Sequence, residues 1–160
     1  MNSAKTHVCL LCLLLLLGLS GSVLGAGPAR PGPKERCGVC GMYVAPYPNW
    51  VAQIAFKDGS RYYFDGPKDM FIFFFGLAKY KPETKVEDIA ELYVTEYYST
   101  ETMNLREVFL VSGSDVQGPM GQELVPVAGR EQAETFRRDH GGKKLLQFNG
   151  VDLIEVPTAQ

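Results

Sequence analysis

"WVAQIAFKDGSRYYFDGPKDMFIFFFGLAKY" occupies residues 50–80, and the order of elements it encodes sets the fold class. Residues 50–56 alternate as a strand, Lys57-Asp58-Gly59-Ser60 has the composition of a tight hairpin turn, and residues 61–64 return as a second strand. Gly66-Pro67 opens a helix over 67–80, with Asp65 in place to cap its first turn. The run "MFIFFF" (70–75) is apolar nearly all round, which predicts a helix buried in the core, Met70 included. "KYKPETKVED" (79–88) is a solvated connection, and "ELYVTEYYS" (91–99) supplies a third strand.

The same order returns downstream. "REVFLVSG" (106–113) and "QELVPVA" (122–128) read as strands, the second marked as an edge by Pro126. "GREQAETFRRDHGG" (129–142) is a polar helix stopped by Gly141-Gly142, and "KKLLQFNG" (143–150) closes as a strand. Two successive β-β-α-β units define an α+β architecture, with halves at about 37–100 and 101–150 and a tail over 151–160. The duplication rests on element order, because few residues are shared between the halves.

At 160 residues the chain holds one domain, or two small ones fused. With 46% hydrophobic and 21% charged residues it has the composition of a folded protein, and a formal charge of −2 without a basic stripe excludes nucleic acid as a partner class. Residues 1–26 read as a secretory signal peptide: Lys5 in the n-region, the apolar run 8–17, and Leu24-Gly25-Ala26 before a cut at Gly27. The competing reading is an uncleaved N-terminal membrane anchor, although the apolar run is shorter than the ~20 residues of a spanning helix. Gly27 stands where a lipoprotein would carry its lipidated cysteine, so lipidation there is not expected. Either way the body is exported. "GPARPGPKER" (27–36) reads as an extended, flexible linker.

Removal of the leader takes Cys9, Cys12 and His7 with it. Cys37, Cys40, Met42, Met70, Met103, Met120 and His140 then remain as soft or imidazole donors. "ERCGVCGMY" (35–43) concentrates three of them. Counting cysteine and histidine excludes a closed zinc site and an iron–sulfur cluster, which want four ligands. Gly41 after the second cysteine excludes c-type haem attachment. A thioredoxin-like pair would open a helix, which Pro46 and Pro48 forbid. A plain Cys37–Cys40 disulfide fits an oxidising compartment. A soft-metal site fits as well. Cys40 and Met42 lie two apart, on one face if the segment is extended, and thiolate with thioether selects Cu(I). Met120, in the glycine- and proline-flanked loop "GPMGQ" (118–122), is a candidate third donor. His140 stands alone beside a helix C-terminus, where its expected role is to complement the helix dipole.

"CGVCGM" (37–42), "AQIAFKDGSRYYFD" (52–65), "GPMGQELVPV" (118–127) and "HGGKKLLQF" (140–148) together resemble the NosL family, copper-binding accessory proteins of nitrous oxide reductase. The resemblance covers about residues 35–150 and keeps the family's motif order. It implies a periplasmic Cu(I) chaperone, not an enzyme, with two β-β-α-β halves similar in fold to organomercurial lyase. It implies that Cys40 and Met42 are copper ligands, Met120 the third, and Cys37 either a ligand or a disulfide partner. It points to nitrous oxide reductase, or another exported copper enzyme, as recipient. Two other functions share these residues: a thiol–disulfide reductase, needing Cys37 and Cys40 but neither methionine, and a passive copper or mercury sequestration protein.

Overall fold

The computed structural model describes residues 27–157, so the leader read over 1–26 lies outside the described residues. Strands β1 (Ala52–Phe56) and β2 (Arg61–Phe64) form the expected hairpin, Ala52 opposite Phe64 and Ala55 opposite Arg61. Gly59 takes φ 84°, a conformation that only glycine adopts without strain, and the Asp58 carboxylate accepts from the Ser60 N–H at 2.8 Å. Helix α1 (Pro67–Phe75) follows, with proline at its first position. It stops at Gly76, and a short α2 (Leu77–Tyr80) resumes beyond it, so the single helix expected over 67–80 is broken. Glycine weakens a helix interior, and a Cβ at Gly76 would stand 2.9 Å from the Ile72 carbonyl oxygen.

Two further expectations for α1 are corrected. Gly66, in extended backbone, is the N-cap and makes no side-chain cap bond. Asp65 does not cap the helix; its carboxylate turns toward the sulfur loop described below. The first turn is instead satisfied from the second half: the Lys68 N–H donates to the Glu123 carboxylate at 2.5 Å. Nor is the apolar run buried all round. Met70, Phe71, Phe73 and Phe74 are buried, but Ile72 and Phe75 remain 44% and 54% exposed.

β3 (Ile89–Thr95) pairs antiparallel with β1, and a short β4 (Thr102–Asn104) pairs with β3, giving the sheet order β2-β1-β3-β4. The second half comprises β5 (Val108–Gly118), β6 (Gly121–Ala128), α3 (Arg130–Asp139), β7 (Lys144–Phe148) and β8 (Leu153–Glu155). Its sheet order is β6-β5-β7-β8, the same path as the first. Each half is therefore β-β-α-β-β within an α+β fold, and the fourth strand of each is an addition to the expected unit. The stretch read as a tail contributes β8, antiparallel to β7. Pro126 does lie on the edge strand β6, and the first half covers that edge: the Tyr97 N–H donates to the Pro126 carbonyl at 2.9 Å.

The main core joins the halves through α1. The Phe71 and Phe74 rings lie 5.7 and 5.3 Å from that of Phe148 in β7, beside Val108 and Leu110 of β5. Burying such a side chain contributes ~1.5–3 kcal/mol, so this junction is a large part of what holds the halves together. A smaller cluster of Val111, Val125, Val127, Ala133, Phe136 and Leu145 lies under α3. Residues 27–36 carry no helix and no extended strand, yet they are tied to the first sheet. The Arg61 guanidinium donates to the Gly27 carbonyl at 2.7 Å, and the Ala29 N–H to Gln53 Oε1 at 3.1 Å. No helix among the described residues is long and apolar enough to cross a membrane.

Candidate metal centre

The motif 37–42 is a closed loop laid along the edge strand β2. The Cys37 N–H donates to the Met42 carbonyl at 2.7 Å, and the Gly41 N–H to the Cys37 carbonyl at 3.0 Å. Cys37 bridges to Tyr63, and the Gly38 N–H donates to the Tyr63 carbonyl at 3.1 Å. Gly38 has no room for a side chain: a Cβ there would meet the rings of Phe64, Tyr62 and Phe73 at 3.2–3.3 Å. Gly41 takes φ 76°, so residues 40–42 turn and are not the extended segment that the spacing argument assumed. Cys40 and Met42 nonetheless line one open pocket, with Arg36 and Tyr43 at its rim. Arg36 fixes that rim by stacking 4.0 Å over the Tyr43 ring and donating to the Gly41 carbonyl at 2.8 Å. No helix begins at the cysteines; the chain passes through a single 3-10 turn at Pro48–Trp50 into β1.

Two carboxylates complete the cluster. Asp65 directly follows β2, and Asp69 lies four residues on, in the first turn of α1. The Cys37 thiol donates to Asp69 at 3.3 Å and the Cys40 thiol to Asp65 at 3.4 Å. One donor atom from each of the four residues lies within 4.8 Å of the others. Cys37, Asp65 and Asp69 are 4%, 2% and 6% exposed, while Cys40 faces solvent. Both cysteines are free. Burial pushes the Cys37 thiol far up, and the neighbouring Asp65 adds to the effect. Burial is also the largest cause of the rise at Cys40. The metal-free pair is therefore held as thiols, and a cation that binds it must displace protons.

Met120 occupies the turn of the β5–β6 hairpin, where Gly118 pairs with Gly121, and it is 51% exposed. The loop is anchored to the start of α1. The Lys68 ammonium donates to the carbonyls of Gln122 and Met120 at 2.8 and 3.4 Å. Glu123 is bound by the Lys68 N–H, and its carboxyl is pushed up to about 7, mainly by burial. The structure thus brings Cys37 and Cys40 together, sets Met42 in the pocket of Cys40, and fastens the Met120 hairpin to the helix turn that carries Asp69. Met70 is fully buried in the core. His140 lies in the second half, where it ends α3, stacks 4.3 Å from the Phe136 ring and pairs with Asp115 at 2.9 Å.

Asp65 and Asp69 are the functional candidates that sequence reasoning missed. The available signal was the spacing Asp65-x-x-x-Asp69 across a helix start, which puts two acids on one side of the first turn. With them the cluster offers four potential ligands, so the donor count that excluded zinc on cysteine and histidine alone is too low.

A two-module α+β domain with a thiol and carboxylate cluster of metal-ligating type on its first module is the class that this fold and site define. The NosL family model matches residues 28–155, and the chain belongs to the NosL family. It is 26% identical over 157 residues to a protein of Stutzerimonas stutzeri named copper-binding lipoprotein NosL, covering 89% of this chain and 78% of that one. It is also similar to the crystal structure of the copper chaperone NosL from Shewanella denitrificans. That match has a TM-score of 0.63 at 25% identity and covers 76% of this chain and 93% of the other.

Proposed function

We propose that the protein is an exported, non-enzymatic Cu(I) metallochaperone whose ligands are Cys40, Met42 and Met120, with Cys37 beside them. The observation that carries the proposal is the pairing of a solvent-facing Cys40 with Met42 in one open pocket on a hydrogen-bonded loop. Cu(I) is the cargo. On loading, the Cys40 thiol loses its proton to solvent and the thiolate bonds the ion, while thioether sulfur adds a soft donor that needs no deprotonation. An accessible, low-coordinate ion can be handed on, because a recipient's ligand attacks before the old ones leave. The names of the two relatives support copper as cargo, and the resemblance noted above supports the copper centre of nitrous oxide reductase as destination. Export follows from the leader over 1–26, whether it is removed or retained as an anchor.

A thiol–disulfide reductase would use the same cysteines, but its attacking sulfur must be available as thiolate at working pH. The upward shift of both thiols argues against that use. Maturation of the recipient copper enzyme in cells carrying single variants separates the two. A chaperone predicts that Met42→Ala impairs maturation and Cys37→Ser is tolerated. A dead Cys37→Ser beside a fully active Met42→Ala would sink the proposal. A sequestering protein predicts that neither substitution changes maturation.

A further inference from the structure

We infer that a cavity between the N-terminal segment and the β3–β4 turn binds a small zwitterion, either a free amino acid or a short peptide. The cavity has a volume of about 570 Å³, within the ~300–1,000 Å³ of small-molecule sites. Val51, Gln53 and Thr95, all buried, form its floor. The observation that points to a ligand is Gln53, whose side chain is 1% exposed. Its Oε1 accepts from the Arg61 guanidinium at 2.7 Å and from the Ala29 N–H at 3.1 Å. Those two donors fix the amide, leaving its nitrogen as the end without a partner among the described residues. Gln53 lines the cavity, and a buried amide donor with no acceptor is costly. A ligand oxygen seated on the floor would satisfy it.

The rim carries one charge of each sign. Arg30 directly follows the residue whose N–H holds Gln53, and Glu101 precedes β4, two strands away from β1 in the sheet. Among the described residues neither stands in a salt bridge. A ligand carboxylate is met by Arg30 together with the Gln53 amide, and a ligand ammonium by Glu101. A phosphate dianion would find a single cation and be repelled by Glu101. An apolar ligand would leave the Gln53 donor unmet. The turn that carries Glu101 is also preformed. Thr100, a β-branched residue, is held at φ 58°, a conformation retained only where the surroundings over-determine it. Its N–H donates to the Glu96 carbonyl, and the Glu96 N–H to the Glu101 carbonyl, both at 2.9 Å. The buried Glu96 carboxylate accepts from the N–H groups of Tyr98, Ser99 and Ala128. A rim set in this way loses little freedom when a ligand binds. No residue lining the cavity also lines the pocket of Cys40 and Met42, so zwitterion binding is independent of the copper reading.

The test is saturation-transfer NMR of the purified protein with each standard L-amino acid in turn and with trialanine, followed by calorimetric titration of the tightest binder. The expected result is saturable 1:1 binding. Arg30→Gln and Glu101→Gln, both at exposed positions, should each weaken it about tenfold or more, with the melting temperature of the ligand-free protein unchanged. Charge-blocked forms of the same ligand assign its two ends. Amidation of the carboxylate should weaken binding to the wild-type protein and cost nothing further in Arg30→Gln. N-acetylation should do the same with Glu101→Gln. A free amino acid as the tightest binder, or trialanine in its place, supports the site and identifies which source fills it. Absence of saturable binding by every one of these compounds at millimolar concentration, or affinity unchanged in either variant, overturns the inference.

Discussion

In the first module a strand ends at Phe64, glycine caps the helix at Gly66, and the helix begins at Pro67; in the second the strand ends at Ala128, the cap is Gly129, and the helix begins at Arg130. Counting from those caps, Asp65 and Asp69 fall where the second module has Ala128 and Gln132. The sheets run in the same order, β2-β1-β3-β4 against β6-β5-β7-β8, yet only one module has the acids and the cysteine loop beside them. The helices differ accordingly. α1 is apolar and sits at the junction of the modules, while α3 is polar and buries only Ala133 and Phe136. The topology supports the fold in both halves, and the chemistry was placed on the half whose helix start is buried. In the proposed ligand set the second module lends a loop tip, Met120, and the carboxylate of Glu123 binds the start of α1 beside it.

That division can be broken by cutting the second module's core. Phe136 is fully buried, and Phe136→Ala should destabilise the protein by ~3–5 kcal/mol while Cu(I) affinity below the melting transition stays within a few-fold. A parallel fall in affinity would show that the site depends on the packing of the second module's core. Met70→Ala is the counterpart in the first core, with an expected cost of ~2–5 kcal/mol in a denaturant melt.

Glu123 tests the seam between the modules. Its carboxyl titrates at about 7 in the folded protein against an ordinary 4.5. Because the folded value is raised, its contribution is fully present below about pH 4.5 and is lost as pH rises through 7. Relative to Glu123→Gln, the wild-type protein should lose stability between pH 5 and 8, by at most about 3 kcal/mol. Chemical denaturation of both proteins at several pH values checks this; parallel profiles would contradict it.

The two cap glycines sharpen the comparison, because they are needed for different reasons. Gly66 has extended backbone, but a Cβ there would stand 2.1 Å from Glu123 Oε2. Gly129 instead takes φ 77°, where any side chain is strained. Gly66→Ala should cost ~1–3 kcal/mol and be partly rescued by Glu123→Ala. Gly129→Ala should cost about 1 kcal/mol and gain nothing from Gln132→Ala. Additivity at Gly66 in a double-mutant cycle would remove Glu123 from its assigned place.

Much of this was legible from residue types with few alternative uses. The Asp58-Gly59 turn, the Pro67 helix start, the Pro126 edge and the Gly141-Gly142 stop each carry a backbone constraint that sequence displays directly. The three-residue strands β4 and β8 were not legible, since "TMN" and "LIE" are too short to show a period and are ordered by pairing with β3 and β7. Asp65 was misread because an acid just before Gly-Pro has a good local use as a cap, which tertiary contact with Cys40 overrides. The cysteines stood out by scarcity. Aspartate and glutamate are common in this chain, and only burial separates the two acids in the cluster from those that are solvated. The exposure of Ile72 and Phe75 likewise depends on where the second sheet stops, which no periodicity in α1 records.

The most direct measurement is an anaerobic Cu(I) competition titration of the reduced protein and of Cys40→Ser against a chelator of known affinity. Cys40 is the solvent-facing sulfur of the site on which the account rests. The expected result is a 1:1 complex whose affinity falls about a hundredfold or more in Cys40→Ser, in keeping with loss of a thiolate ligand, with unchanged melting temperature in the metal-free state. Equal Cu(I) affinity in the two proteins would contradict the assignment of the first module's loop as the metal centre.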